Sequence, residues 1–287
     1  MHIPVLLNEV VEFLNAAKGG VFLDGTVGLG GHSAAILNAS PHNYLYGTDK
    51  DRESLDIAKE KLEAFSGRFT FFHADFKNLE TLPIKIDKID GFLFDLGVSS
   101  FQLENPERGF SYSREAPLDM RMDKKGKISA YNVINDYSYD ELFDVFKKYG
   151  EIENPTRITE QIVFHRKQKK IESTDELKNI IRRIAPKRKT MDPLARVFQA
   201  VRIEVNQELT GLEAFLSKLV HSIKPGSRIV IISFHSLEDR IVKSVFKTAK
   251  QDHLIKLLTK KPLAAKKDEL QMNIRARSAK LRACEKI

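Results

Sequence analysis

Short apolar runs that end in aspartate constrain the fold of this 287-residue chain more than any other feature. Segments with helical periodicity separate them, for example residues 52–65. Five runs have this strand-like character: residues 21–24, 44–49, 69–75, 89–95 and 228–234. Their alternation with helices predicts an α/β fold with a parallel sheet and helices on both faces. Ligands bind at the carboxyl ends of such strands, so the terminal carboxylates predict a ligand site: Asp24, Asp49, Asp75 and Asp95.

The first run leads into a glycine-rich turn. Residues 24–33 read Asp-Gly-Thr-Val-Gly-Leu-Gly-Gly-His-Ser. Glycine lets the turn reach positive φ, and it lets the backbone approach a ligand without a Cβ in the way. Dinucleotide-binding turns read Gly-x-Gly-x-x-Gly, whereas here Gly28, Gly30 and Gly31 follow an aspartate that enters the turn. The pattern is more typical of enzymes that use S-adenosylmethionine, in which an acidic group such as Asp24 faces the positively charged methionyl end.

Two further strand ends suit the rest of that cofactor. Asp49 can accept hydrogen bonds from both ribose hydroxyls, and Asp75 with Phe76 can hold adenine through a polar contact and an apolar face. The sequence therefore predicts an S-adenosylmethionine site. A nicotinamide-dependent oxidoreductase is the competing enzyme class, and the glycine spacing and the absence of a second substrate-domain signature disfavour it.

The regular spacing of strands breaks after Asp95, because the next strand-like run begins only at Arg228. An ordinary crossover is far shorter. Helix-start signals punctuate the intervening sequence: Ser138 with Glu141, Asn154-Pro155, Ser173 with Glu176, and Asp192-Pro193. A last helix over residues 212–223 leads back to the sheet. We therefore expect an all-helical substrate-recognition domain at residues 105–209, inserted into a cofactor-binding domain of residues 1–104 and 210–287.

The charge balance indicates a polyanionic partner. The chain has 47 Lys and Arg against 39 Asp and Glu, a net charge of +8. The excess lies mostly beyond residue 165, where residues 165–170 and 187–189 are basic runs that we expect to contact phosphates or to be solvated helix faces.

Cysteine and histidine usage narrows the class further. Cys284 is alone, which excludes an intrachain disulfide and fits a reducing compartment. The eight histidines and this cysteine show no metal-ligand spacing, so no metal is expected. The sequence has no membrane-length apolar run and no signal-peptide pattern, which predicts a cytoplasmic protein without a membrane partner.

Longer motifs begin at the fourth strand end. Residues 94–103 read Phe-Asp-Leu-Gly-Val-Ser-Ser-Phe-Gln-Leu, and residues 117–123 read Pro-Leu-Asp-Met-Arg-Met-Asp. Further matching segments are residues 2–10, 108–112, 198–203, 233–240 and 275–282. With these motifs the whole chain resembles the RsmH (MraW) family of bacterial ribosomal RNA methyltransferases. Two positions depart from the family pattern: Asp192 stands where His is expected before Pro193, and Ile274 stands where Pro is expected.

The resemblance implies a class I (Rossmann-like) S-adenosylmethionine-dependent methyltransferase sheet with an inserted helical domain. It implies methylation of the N4 amine of a cytosine, position 1402 in the usual numbering, in 16S rRNA at the decoding centre of the small ribosomal subunit. The assembled particle is favoured over free RNA, and a homodimer is compatible with the sequence. Carried over by position, the cofactor contacts are Gly30, Gly31, His32, Asp49, Phe76, Asp95 and Gln102.

The chemistry suggests which residues act on the base. The N4 lone pair is delocalised into the ring, so the enzyme must hold the amine at near-attack distance and accept hydrogen bonds from its protons. We hypothesise that Asp95 and the backbone of residues 96–99 line the methyl-transfer site, and that Ser99 or Ser100 orients the base. The alternative, that Asp95 only binds the cofactor, has equal weight.

Several residues have both a functional and a structural interpretation. A flipped base can stack on Phe101, Phe110 or Tyr112, although packing is the more common role of such rings. Asp119 and Arg121 fit an ion pair that holds the insert against the sheet better than they fit catalysis. His32 and His235 suit either the site or ordinary structural hydrogen bonds.

Two other functions fit the same residues. A non-enzymatic RNA-binding assembly factor could retain a vestigial cofactor fold, but the intact acidic and glycine positions argue against decay. A related enzyme acting on DNA or transfer RNA is physically compatible, and only the family resemblance selects ribosomal RNA.

Overall fold

A computed structural model describes residues 4–185 and 192–287. The chain divides into two compact units, one of residues Met1–Gly97 and Leu209–Ile287, here called the sheet unit, and one of residues Val98–Glu208, here called the helical unit. The basic run at residues 187–189 lies outside the described residues. The predicted domain boundaries fell at 104/105 and 209/210, whereas the units divide after Gly97 and before Leu209.

The sheet unit contains seven strands in the spatial order β3-β2-β1-β4-β5-β7-β6. The first five strands in this order are parallel to one another. β7 pairs antiparallel with both β5 and β6. The strands are β1 (Gly20–Asp24), β2 (Asn43–Asp49), β3 (Phe69–His73), β4 (Gly91–Asp95), β5 (Arg228–Ser233), β6 (Ile255–Leu257) and β7 (Lys280–Lys286). The reversal of strand order between β1 and β4 creates the crevice in which ligands of open α/β sheets bind.

Helices cover both faces of this sheet, as the alternation of runs predicted. The helices of the sheet unit are α1 (Leu7–Leu14), α2 (Gly31–Ala39), α3 (Arg52–Lys61), α10 (Leu212–Ser222), α11 (Ser236–Gln251) and α12 (Lys267–Met272). Alternate residues of β4 enter different cores: Phe92 and Phe94 pack with α10 and α11, whereas Leu93 packs with α1 and α2. Burial of each such side chain stabilises the fold by about 1.5–3 kcal/mol.

The helical unit begins immediately after the fourth strand. Its helices are α4 (Ser100–Glu104), α5 (Ala130–Asp136), α6 (Tyr139–Tyr149), α7 (Thr156–Gln168), α8 (Thr174–Ile184) and α9 (Pro193–Asn206). Capping boxes at Ser138 with Glu141 and at Ser173 with Glu176 start α6 and α8 as predicted. α6 packs against α9, and α7 packs against α8. No helix of the described ranges is long and apolar enough to cross a membrane.

Three details of the sequence-based fold were wrong. β3 ends at His73, so Asp75 lies two residues beyond the strand instead of ending it. The short β6 and the antiparallel β7 were not foreseen. α9 ends at Asn206 rather than near Glu208, because Gln207 adopts a left-handed conformation and its N–H closes the helix on Glu204 and Ile203 carbonyls.

Asp192, where the family resemblance led us to expect His, has a clear structural role in this chain. Its Oδ1 accepts the Leu194 N–H at the start of α9, and its two oxygens accept a two-pronged ion pair from Arg182, each at 2.6 Å. The aspartate thus caps one helix and joins it to α8. The substitution is therefore matched by a partner within the same unit.

We expect Asp192→Ala to lower the free energy of unfolding by about 2 kcal/mol, because it removes both a helix cap and a bidentate ion pair. Urea unfolding followed by circular dichroism measures the change. Asp136→Ala is the matched control, since Asp136 forms a half-exposed pair with Lys170 and a surface bond with Asn132. Equal losses in the two variants would contradict the assigned role.

Candidate active site

The glycine turn after β1 is closed by its own aspartate. Asp24 is fully buried, and its Oδ1 accepts the Thr26 N–H at 3.1 Å while its Oδ2 accepts the Ser33 hydroxyl at 2.7 Å. Burial raises the pKa of Asp24, and the Ser33 hydrogen bond opposes that shift. Asp24, predicted as a cofactor ligand, therefore also holds β1 to the first turn of α2.

Glycines in the turn have the conformations that the sequence required. Gly28 and Gly30 have φ of 51° and 77°, values that favour glycine. Gly30 ends the loop by donating to the Val27 carbonyl at 2.8 Å, and the first bond of α2 runs from Ala34 to Gly30. The N–H groups of Gly31 and His32 precede that first bond, so the helix provides them with no acceptor. They are suited to binding a carboxylate.

Asp49 ties the end of β2 to this turn. Its Oδ2 accepts the Gly28 N–H at 2.7 Å, and its Oδ1 accepts the Asp51 N–H at 2.8 Å. Burial raises the pKa of Asp49 to about 6, although both hydrogen bonds lower it. Each carboxylate oxygen has a second lone pair, so Asp49 retains acceptor capacity for ribose hydroxyls.

Asp75 and Phe76 lie just beyond β3. Asp75 Oδ1 accepts the Lys77 N–H, and its Oδ2 lies 2.9 Å from Lys50 Nζ. The Phe76 ring packs against Phe94 and Phe215 with centroid separations of 5.0 and 5.2 Å. This aromatic cluster fixes the apolar surface that was predicted to lie beside adenine.

Asp95, at the end of β4, faces His32. Asp95 Oδ2 lies 3.6 Å from His32 Nδ1, and the Asp95 N–H donates to the Thr26 hydroxyl at 2.7 Å. Its Oδ1 is buried and has no hydrogen-bond partner among the described residues. Burial raises the pKa of Asp95 to about 6; His32 lowers it, and the charges of Asp24 and Glu238 raise it further.

The three strand-end carboxylates fit a cationic ligand. β2, β1 and β4 are neighbours, so Asp49, Asp24 and Asp95 lie side by side, and the charge of Asp24 raises the pKa of the other two. The neighbouring His32 lowers the pKa of Asp24 and of Asp95, against the effect of burial. A ligand with a sulfonium and an ammonium group offsets this accumulated negative charge, whereas a pyrophosphate adds to it.

Gln102, Ser99 and Ser100 begin the helical unit. Ser99 caps α4: its Oγ accepts the Gln102 N–H at 3.3 Å, and its own N–H donates to the Gln102 side chain at 3.0 Å. Ser100 is buried in the first turn. The Ser99 hydroxyl and the Gln102 amide oxygen are thus both used in a capping box, a role that sequence reasoning did not assign.

Two of the three aromatic candidates pack within the helical unit. Phe110 is buried, and the Tyr112 ring meets Phe198 edge-on with centroids 5.1 Å apart. The predicted ion pair between Asp119 and Arg121 is present as a two-pronged contact of 3.0 and 2.6 Å, and it holds the Asp119 pKa below its usual range.

Two motifs of the sheet unit contact each other, which the sequence did not reveal. His235 caps α11 in a box with Glu238, so its ring has a structural role. Asp239, in the next position, accepts Arg282 Nε at 2.7 Å and Lys280 Nζ at 3.2 Å. Residues 233–240 and 275–282 therefore form one ionic cluster that joins α11 to β7.

Most basic side chains of the run at residues 165–170 form hydrogen bonds or ion pairs within the helical unit. The Arg166 guanidinium donates to the Ile134 and Tyr137 carbonyls at the end of α5. Lys169 pairs with Glu176, and Lys170 pairs with Asp136. Of this run, Lys167 is an exposed residue that suits a phosphate contact.

The parallel sheet with its antiparallel β7, together with the glycine turn and the acidic strand ends, defines a class I S-adenosylmethionine-dependent methyltransferase. The chain belongs to the MraW methylase family, whose family model matches residues 1–287. S-adenosylmethionine is accordingly its cofactor.

Curated relatives align with this chain over its whole length. The ribosomal RNA small subunit methyltransferase H of Sulfurihydrogenibium azorense is 45% identical over 291 residues, covering 100% of this chain and 99% of the relative. That of Caldicellulosiruptor saccharolyticus is 45% identical over 305 residues with the same coverage. An rRNA methylase structure from Streptococcus thermophilus aligns with a TM-score of 0.44 and 12% identity over 100% of this chain and 99% of that one.

Proposed function

We propose that this methyltransferase methylates the N4 amine of a cytosine, position 1402 in the usual numbering, in 16S rRNA of the small ribosomal subunit. The buried, unpartnered Oδ1 of Asp95 carries the chemical part of this proposal, because an exocyclic amine must lose a proton as it gains a methyl group. The relatives named as ribosomal RNA methyltransferases support the choice of RNA.

The chain's own residues perform three tasks in this reaction. S-adenosylmethionine, when bound, supplies an electrophilic methyl group on its sulfonium centre. Asp49 and the first amides of α2 bind and orient the cofactor, and Phe76 provides the apolar face for its base. Asp95 accepts hydrogen bonds from the target amine and thereby increases electron density on its nitrogen. Alignment of amine and methyl group supplies the remainder of the rate enhancement.

The helical unit is proposed to recognise the RNA. Its expected role as a substrate-recognition domain fits the exposed basic side chains Arg157, Lys167 and Arg183. Phosphate contacts of such side chains position the substrate, and they do not by themselves select a sequence. Ser100 and the backbone of residues 96–99 are proposed to orient the flipped base.

The direct test transfers a labelled methyl group from S-adenosylmethionine to small ribosomal subunits that lack the modification. Naked 16S rRNA, transfer RNA and DNA are assayed in parallel, and nuclease mapping with mass spectrometry locates the label. Label on one cytosine N4 in the subunit supports the proposal. Label confined to DNA or transfer RNA, or cofactor binding with no transfer to any of them, would refute it.

We expect Asp49→Ala to weaken S-adenosylmethionine binding about 100-fold, because it removes charged hydrogen bonds to the ribose and frees the Gly28 amide of the turn. Isothermal titration measures the affinity. The control is Asp56→Ala, which removes an exposed carboxylate of α3 that pairs with Arg52 and Lys59 on the helix surface. An unchanged affinity in Asp49→Ala would contradict the assignment.

Acidification should have opposite effects on cofactor binding and on folding. The pKa values of Asp49 and Asp95 are raised from 3.8 to about 6. These groups favour the folded state below pH 3.8, and that contribution is lost as the pH rises through 6. Cofactor affinity requires the ionised carboxylates, so it falls as the pH drops through 6.

Calorimetric titrations between pH 5 and 8 and melting curves of the free protein measure the two trends. Asp49→Asn should flatten the pH dependence of cofactor affinity. If affinity stays constant across this range, ionised Asp49 and Asp95 do not contribute to cofactor binding.

A further inference from the structure

His32 uses both ring nitrogens inside the protein. Its Nε2 lies 2.9 Å from the Val5 carbonyl oxygen, which can only accept, so Nε2 carries the hydrogen. Its Nδ1 faces Asp95 Oδ2 at 3.6 Å, and the ring is buried at 6% exposure. Both ring nitrogens therefore face groups of the protein, and we assign the contact expected from the family resemblance to the His32 backbone.

The fixed tautomer determines the charge at Asp95. With hydrogen on Nε2, a neutral ring turns a lone pair toward a carboxylate oxygen, and two acceptors facing each other repel. A hydrogen on Nδ1 instead faces the carboxylate oxygen favourably and stabilises the ionised form of Asp95. A separation of 3.6 Å exceeds a hydrogen bond, so the interaction is mainly electrostatic. It involves Oδ2, and Oδ1 has no hydrogen-bond partner among the described residues.

We infer that His32 is a positioning residue for methyl transfer: held by Val5, it keeps Asp95 ionised and oriented so that Oδ1 accepts a proton from the target amine. This inference rests on the proposed function. In the step, the amine lone pair forms the N–C bond, the electron pair of the breaking C–S bond passes to sulfur, and one N–H proton passes to Asp95 Oδ1.

The charges around Asp95 oppose its ionisation, so the effect of His32 is needed to keep it ionised. Asp24 at the end of β1 and Glu238 on α11 both act against ionisation of Asp95, and burial adds to their effect. His32 on α2 is the group that opposes them. Without it, the pKa of Asp95 rises further, and less of the carboxylate is available as a base at neutral pH.

His32→Gln tests the inference, because glutamine retains an N–H donor but no charge. We expect the acidic limb of the pH profile of kcat to move upward by about one pH unit, with activity recovering toward wild type at alkaline pH. In the cofactor-free protein, carbon-13 NMR of labelled aspartate carboxyls should show the same upward move for Asp95, assigned by the loss of its signal in Asp95→Asn.

Thr48→Val is the matched control, since it removes a buried neutral hydrogen bond from the same turn, Thr48 Oγ1 to the Gly25 carbonyl. It should leave the acidic limb and the Asp95 titration in place. A uniform loss of rate in His32→Gln, with no change in either titration, would reduce His32 to a structural donor and overturn the inference.

A measurement on the wild-type protein tests the inference even if His32→Gln does not fold. Nitrogen-15 NMR of labelled histidine should show the hydrogen of His32 on Nε2, and hydrogen on Nδ1 alone would overturn the inference. Both NMR readouts use free protein and no RNA. Failure of the ribosomal substrate assay therefore remains distinguishable from failure of the His32–Asp95 pair.

Discussion

Asp95→Ala is expected to lower kcat for methyl transfer about 1000-fold while the fold survives, because it removes the base that accepts the amine proton. The side chain is 25% exposed, and its N–H bond to Thr26 comes from the backbone and is retained. Loss of the side chain therefore leaves no strand hydrogen bond broken. Single-turnover transfer at saturating cofactor measures the effect.

The same variant separates the two roles considered for this carboxylate. If Asp95 only binds the cofactor, saturating S-adenosylmethionine restores the rate and the loss appears in affinity. If Asp95 accepts the proton, the loss persists at saturation, and the isosteric Asp95→Asn shows it as well. A rate within a few-fold of wild type in both variants would refute the proposed role.

Asp90→Asn provides the control at the other end of β4. Asp90 Oδ2 accepts the Val21 N–H at 2.8 Å, and Asp90 Oδ1 pairs with Lys224. It lies at the amino end of the strand, away from the crevice where ligands bind. An asparagine retains the acceptor for Val21, so methyl transfer should be unaffected. The comparison thus isolates charge at the carboxyl end of the strand.

Strand ends were predictable because they are encoded locally. A buried parallel strand reads as a continuous apolar run, so Asp24, Asp49 and Asp95 were placed at strand ends from the sequence alone. β7 was missed because its apolar residues alternate with charged ones such as Arg282 and Glu285, and β6 because it has only three residues. Neither resembles the runs that identify the parallel strands.

Contacts between segments that are distant in the sequence could not be predicted from it. His32 meets Val5 and Asp95 only because α1, α2 and β4 pack around one core. The glycine spacing indicated a turn, but it could not show that Asp24 uses both oxygens to close it. Likewise, residues 165–170 looked like a free basic run, yet helix packing directs Arg166 to the end of α5. Roles of this kind depend on tertiary neighbours.

The second large effect is on stability. Gly109→Ala is expected to destabilise the helical unit by about 3 kcal/mol or more. Gly109 has a φ of 69°, and a Cβ there meets the Pro117 carbonyl oxygen at 2.2 Å and the Asp119 nitrogen at 3.0 Å. Both are backbone atoms and cannot rotate away. The cost therefore combines a strained conformation with a steric overlap.

The overlap matters because the chain folds back on itself at this glycine. The neighbouring Arg108 is 1% exposed and donates to the Arg121 and Met122 carbonyls, while its own carbonyl accepts the Met120 N–H. Displacing Pro117 disturbs these buried bonds, and an unsatisfied buried group costs about 1–3 kcal/mol. The loss should thus exceed that of conformational strain alone.

Gly226→Ala is the control that measures backbone strain without steric overlap. Gly226 has a φ of 82°, and a Cβ added there meets no atom within 4 Å. It should cost about 1–2 kcal/mol. Hydrogen exchange of amides in α5 and in β4 reports the stability of the helical unit and of the sheet unit separately. The stability change of Gly109→Ala is therefore read in α5 and that of Gly226→Ala in β4, each relative to wild type. Equal losses would mean that the Pro117 backbone yields without cost. A clearly larger loss at Gly109 would show that residues 108–122 have one rigid arrangement, in which only glycine fits.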